Sequence, residues 1–213
     1  MVGAFFYVYH GRADLSKALL LPFIAFLIIG FIYEFEINKF LYYFLFFLSF
    51  LIQTIFAITT HRIILLGKES VPEWGLRSWS KRETFFFIHV LILTGGMYIL
   101  LLAPIFSGFI PIVVMPISFI FIIWLWARLS LVFPGIAIDK GVTFKLSWAL
   151  TKKYQLLMFL VVIAFPVLLA IPSVLLSFIP YTSVLTNIMS TFVIVFEVAA
   201  LSVAYQIITL EKV

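Results

Sequence analysis

Long apolar stretches separated by short polar ones run through the whole chain. The stretches lack the strict alternation of a membrane β-strand and are too long for one, so helices are the only spanning structure they fit. At roughly 20 residues per spanning helix, the pattern predicts six spans, near residues 18–33, 40–60, 84–104, 112–132, 156–179 and 184–208. The predicted fold is an all-α polytopic transmembrane bundle of six helices, forming one transmembrane domain over residues 1–213.

The polar positions then set the orientation. All of the 14 Lys and Arg residues except Lys39 fall on one side of this six-span arrangement; Lys39 lies on the other, beside Glu34 and Glu36. An odd number of spans would break that segregation, and the positive-inside rule puts both termini in the cytoplasm. On the outer side the connections 105–111 and 180–182 are short and uncharged, whereas the inner connections, 61–83 and 133–155, hold most of the polar residues. Within the second inner connection, Phe144, Leu146, Trp148 and Leu150 mix with Lys145, Lys152 and Lys153. Such a segment suits a short amphipathic helix lying at headgroup level. In the first, Ser80-x-x-Glu83 before an apolar run predicts a capping box opening the third span.

A faint repetition accompanies this layout. Ser16-Lys17, Ser80-Lys81 and Thr151-Lys152 each introduce an odd-numbered span, 64 and 71 residues apart, and Arg62 and Arg128 end the second and fourth spans, 66 apart. Three repeated hairpins account for this. Selection for positive charge at each inner entry accounts for it equally well.

Composition narrows the class. The chain is 65% hydrophobic and 11% charged, against about half and a quarter in soluble domains. With no cysteine in 213 residues, disulfides, thiolate metal sites and attached c-type haem are excluded. No basic n-region or small-residue cleavage site stands at the start, so no removable signal peptide is expected.

The run Arg128-Leu-Ser-Leu-Val-Phe-Pro134-Gly-Ile-Ala-Ile, followed by Ser147-Trp148-Ala-Leu-Thr151-Lys152, carries a family resemblance. His61-Arg62-Ile-Ile-Leu-Leu-Gly67 and Trp79-Ser-Lys-Arg-Glu83 add to it. Together they resemble a broad group of bacterial inner-membrane proteins that includes YciC-like proteins and the membrane domain attached to some glycerophosphodiester phosphodiesterases. The resemblance spans roughly the whole chain on short motifs and implies a six-helix inner-membrane protein. It transfers no activity, because the phosphodiesterase chemistry of the fused members belongs to a separate soluble domain.

Candidate chemistry is sparse. Glu197 sits in the apolar run of the last span, where a bare carboxylate is costly and must be neutral, paired or beside water. The other intramembrane polar candidates are Gln53, His89 and Arg128. Glu197 is expected to face the bundle interior, with Gln53, His89, Thr94 or Tyr98 as its hydrogen-bond partner, because lipid offers no donor. Arg128 is expected to snorkel to headgroups, and His61-Arg62 to mark the interface and hold lipid phosphate. Arg62, Trp74, Arg77, Trp79, Lys145, Trp148 and Lys152 form the predicted headgroup belt, suited to anionic lipid. His10, His61 and His89 lie in unrelated segments, and no metal motif, nucleophile triad, phosphate loop or nucleic-acid motif occurs. No cofactor is expected.

These features leave a non-enzymatic scaffold or accessory subunit, with membrane lipids and a membrane-protein partner or second copy as its contacts, narrowly ahead of a small transporter or lipid-handling protein. An intramembrane enzyme comes last. Polar residues from several spans converging on one cavity would favour the transporter or lipid-handling reading.

Overall fold

The computed structural model describes residues 2–33, 35, 37–75, 78–106, 111–179 and 183–210. The acidic pair Glu34 and Glu36, Arg77, Lys212 and most of the two outer connections lie outside the described residues. All regular structure among the described residues is helical: α1 (Val2–His10), α2 (Arg12–Ile32), α3 (Lys39–Leu66), α4 (Lys81–Phe106), α5 (Pro111–Leu129), α6 (Val132–Ala137), α7 (Phe144–Thr151), α8 (Gln155–Phe159), α9 (Phe165–Ser177) and α10 (Ser183–Leu210). A π-helical turn, Leu160–Ala164, joins α8 to α9.

Six stretches are long and apolar enough to cross a membrane: Arg12–Ile32, Lys39–Leu66, Lys81–Leu102, Val114–Ala137, Gln155–Ser177 and Val184–Leu210. Consecutive spans pack as hairpins, α2 on α3, α4 on α5 and α9 on α10, and α3 and α10 form the central pair that joins them. Ala199, Ala200, Ser202 and Ala204 are all buried on α10. Small side chains let helix backbones approach closely, which is what drives association when lipid is as apolar as the helices. Phe40, Ile99, Ile120, Leu156 and Leu175 point outward, as spans in lipid require.

Local sequence explains the helix ends. Asn38 caps α3 by accepting from the Leu41 N–H at 2.8 Å, and Thr143 caps α7 by accepting from the Leu146 N–H at 3.3 Å. The capping box forms, with the Glu83 carboxylate accepting from the Ser80 N–H at 2.9 Å. Gly75, at φ 68°, presses on the Ala18 carbonyl where no Cβ fits, which holds the α3–α4 connection against α2.

Three features depart from the predicted layout. First, Val2–His10 is a helix packed against α10, with Ala4 enclosed and Phe5 stacked on Phe165 and Phe196. Second, residues 133–137, expected in the second inner connection, are buried: α6 folds back into the bundle, with Val132 and Ala137 fully enclosed. Its apolar side chains favour burial, while Pro134 and Gly135 keep it from continuing α5 as one straight helix. Third, the fifth span, where Pro166 and Pro172 are expected to interrupt the helix, runs on from Gln155 to Ser177 and widens into the π turn just before Pro166.

Candidate functional site

The π turn has a local cause. Pro166 has no N–H, and its ring clashes with the carbonyl four residues back, that of Val162. The helix answers by widening: the Phe165 N–H bonds the Leu160 carbonyl, five residues back. Neither the i+4 nor the i+5 donor then reaches the Val161 carbonyl. π turns inside α-helices recur at functional sites.

Val161, Val162 and Pro166 form one wall of a half-open cavity of about 260 Å³ between the spans. Opposite them stand α3, which contributes Gln53, Thr54, Ala57 and His61, and α10, which contributes Glu197, Val198 and Leu201. Phe86 on α4, Trp126 on α5, and Ser130 and Phe133 at the α5–α6 break complete its lining. Gln53, Ala57 and His61 recur at intervals of four and so share one face of α3. Glu197 lies midway along the span Val184–Leu210, about 20 Å from either end at 1.5 Å per residue.

The polar groups are held differently. Nδ1 of His61 lies 2.7 Å from the Ser202 hydroxyl, which in turn donates to the Val198 carbonyl at 2.8 Å. The hydroxyl has one proton for two acceptors in reach, so the direction of its bond with His61 follows the tautomer of the ring. The hydroxyls of Thr54 and Ser130 donate to the Phe50 and Ala127 carbonyls, at 3.0 and 3.3 Å. Neither Glu197 nor Gln53 has a side-chain hydrogen bond to the described residues.

Of the four intramembrane candidates, Glu197 and Gln53 share this cavity and the other two stand elsewhere. His89 bonds the Phe85 carbonyl of its own helix at 2.8 Å and stacks on Phe144 of α7, 4.9 Å between centroids. Thr94 is bonded to Val90 of its own helix and Tyr98 faces outward, so the expected partners of Glu197 do not reach it. Arg128 does not snorkel. Only 3% exposed, it donates to the Trp148 carbonyl at 2.6 Å with its guanidinium over the Trp148 ring. The hydroxyls of Ser147 and Thr151 answer by donating to the Arg128 carbonyl. The exchange fastens α7 beneath α5.

His61 and Arg62 also depart from the interfacial expectation. His61 is enclosed, because α3 runs on to Leu66 instead of ending near Thr60. Arg62 is committed to the protein rather than to headgroups: it donates to the Ser70 and Ala137 carbonyls and to Asp139, at 3.1, 2.9 and 2.9 Å. Arg82 joins Asp139 at 3.1 Å and Glu83 at 2.7 Å, tying the ends of α3, α4 and α6 together. In the rest of the belt Trp74, Trp79, Lys145, Trp148 and Lys152 are exposed, while Arg77 lies outside the described residues.

A polar recess of about 320 Å³ lies between Asp14, Lys17, Lys68, Glu69 and Glu73. Its charges are mixed, and Lys17 is paired to Glu73 in a solvent-exposed bridge. Such surface pairs carry little energy or specificity, so the central cavity is the stronger candidate.

Sequence reasoning singled out Glu197 and Gln53 but missed Thr54, Ser130 and Ser202, since hydroxyls bonded back to their own helix look alike in every span. Fold and composition define a multi-pass, all-α membrane protein of six spans. Compared with models of known families, with curated proteins and with solved structures, the chain matches none.

Proposed function

We propose that the protein handles a small solute or lipid fragment in its central cavity, and that scaffolding is the weaker of the two expectations. The observation that carries this reading is the convergence of Gln53, Thr54, His61, Ser130 and Glu197 on one cavity walled by a span with a π turn. A scaffold needs only packed helices and an outer face, and lipid-facing bundles place polar groups at depth only where a site or water accepts them. Transporters build midplane sites from interrupted helices, where unsatisfied backbone meets the solute. The basic residues support the surrounding proposal of two cytoplasmic termini, with Lys145 and Lys152 attracting anionic headgroups and Trp74, Trp79 and Trp148 anchoring at the interface, and the family resemblance supports a bacterial inner membrane.

The absence of cysteine makes the test direct. Val162→Cys places a thiol on the cavity wall, and Leu168→Cys places one on the outward face of α9. Methyl methanethiosulfonate is small and neutral and reacts with the thiolate, which forms only where water reaches. The Val162→Cys thiol is expected to react readily and the Leu168→Cys thiol not. Equal inertness of both would mean a dry bundle and would return the protein to the scaffold reading.

A further inference from the structure

We infer that the cavity is selective for a small organic cation, an amine or quaternary ammonium on an apolar body; this rests on the cavity reading above. The reason is the imbalance between acceptors and donors on its walls. The protons of the Thr54 and Ser130 hydroxyls, both on the cavity lining, are committed to the Phe50 and Ala127 carbonyls, so these oxygens have only lone pairs left to offer. Pro166 deprives the Val161 carbonyl of a helical donor. Glu197 brings a carboxyl with no partner among the described residues. Against these, the Gln53 amide and the Trp126 indole offer N–H groups, and no Lys or Arg lines the cavity.

The rest of the wall agrees with this assignment. Phe50, Phe86, Trp126 and Phe133 surround the polar groups. Aromatic faces attract a cation, Trp most strongly, and the attraction grows when water is excluded. An anion would meet a carboxylate and the negative faces of rings. A neutral apolar ligand would fill the space yet leave the Glu197 carboxyl unpaired, at a desolvation cost. A cation supplies a charged partner for Glu197, one of the three ways in which a carboxyl at this depth is accommodated. The volume of about 260 Å³ lies near the low end for ligand pockets, which suits a single-ring molecule.

The Val162→Cys thiol also reports occupancy. With the protein in lipid nanodiscs, its modification by methyl methanethiosulfonate is followed against rising benzyltrimethylammonium or against N,N-dimethylbenzamide, a neutral compound of similar size. The cation is expected to protect at a concentration about tenfold lower than the amide, the factor that roughly 1.4 kcal/mol of cation–π and charge pairing produces. Glu197→Gln, checked for folding by its circular-dichroism melt, should erase that preference while leaving protection by the amide unchanged. Trp126→Leu serves as a second variant that keeps the carboxyl and should weaken protection by the cation alone.

Equal protection by cation and amide, or an undiminished preference in both variants, overturns the inference. A thiol that reacts but is protected by neither compound also overturns it, with the hydrated cavity left standing. A thiol that never reacts removes the cavity reading and the inference together.

Discussion

Nδ1 of His61 and the hydroxyl of Ser202 lie 2.7 Å apart, 141 positions away from each other in the chain. Both side chains are almost fully enclosed, at 1% and 0% exposure. The contact joins α3 to α10, the central pair of the bundle. Ser202→Ala and His61→Leu should each destabilise the fold, and their double-mutant cycle should show a coupling of about 1 kcal/mol, the scale measured for hydrogen bonds between membrane helices. Reversible unfolding in mixed micelles reads the cycle. Strictly additive losses would mean that the two side chains are merely adjacent.

Arg128 presents the opposite case, a charge with too few partners. Its Nη2 donates to the Trp148 carbonyl, but Nε and Nη1 are buried without any hydrogen bond. The Thr151 hydroxyl also lies 3.3 Å from that carbonyl, with its one proton facing the Arg128 and Ser147 carbonyls as well. Arg128→Met removes two unsatisfied groups and keeps an apolar stem, a change that is often neutral or stabilising for buried ions. Arg128→Lys keeps the charge and loses the planar fork and the ring stack. Thermal melting should therefore rank the Met variant at or above the wild type and the Lys variant below it by about 2 kcal/mol. A Met variant less stable than the Lys variant would mean that the guanidinium is held by a bound anion.

Much of the fold was legible because lipid imposes a simple rule: each span must be long, apolar and helical. Segregated charge fixed the number of spans, and Ser80-x-x-Glu83 marked the start of α4. What stayed hidden depends on partners distant in the chain. Residues 133–137 fall in the expected connection because the apolar run of the fourth span is taken to end at Val132; they are buried because α6 packs against α3 and α4. His61 looked interfacial because Arg62 follows it. Yet the two point to different places, one into the cavity and one to Ser70, Ala137 and Asp139. Glu197 was visible from its surroundings in sequence, whereas its neighbours Thr54 and Ser130 carried no mark that set them apart from other hydroxyls.

Topology can be tested with single cysteines. Gly67 and Gly141 are poor positions, since both take positive φ, 87° and 59°, and any side chain there is strained. Lys68→Cys and Lys152→Cys are exposed and lie in the two basic connections. In intact cells an impermeant maleimide should leave both unlabelled, and permeabilisation should expose both. Labelling of either in intact cells would invert or break the six-span orientation.

Pro166 supplies the sharpest link between a residue and the site. In an ordinary α-helix the N–H at position 166 would bond the Val162 carbonyl, and proline removes that bond. Pro166→Ala restores the donor and removes the ring clash, so the segment from α8 to α9 can close into a regular helix. Loss of an interior helix proline is worth about 3 kcal/mol in helix propensity, although part of that is already relieved by the π turn. The Ala variant should therefore unfold at higher temperature than the wild type. Regularising the helix also turns Val161 and Val162 relative to α10, because one residue fewer is accommodated in the turn. A thiol at Val162→Cys in the Pro166→Ala background should then react more slowly with methyl methanethiosulfonate than the same thiol in the parent. Gained stability together with lost access would identify the π turn as a feature kept for the cavity at the expense of the helix. Unchanged access would show that the cavity is shaped by α3 and α10 alone.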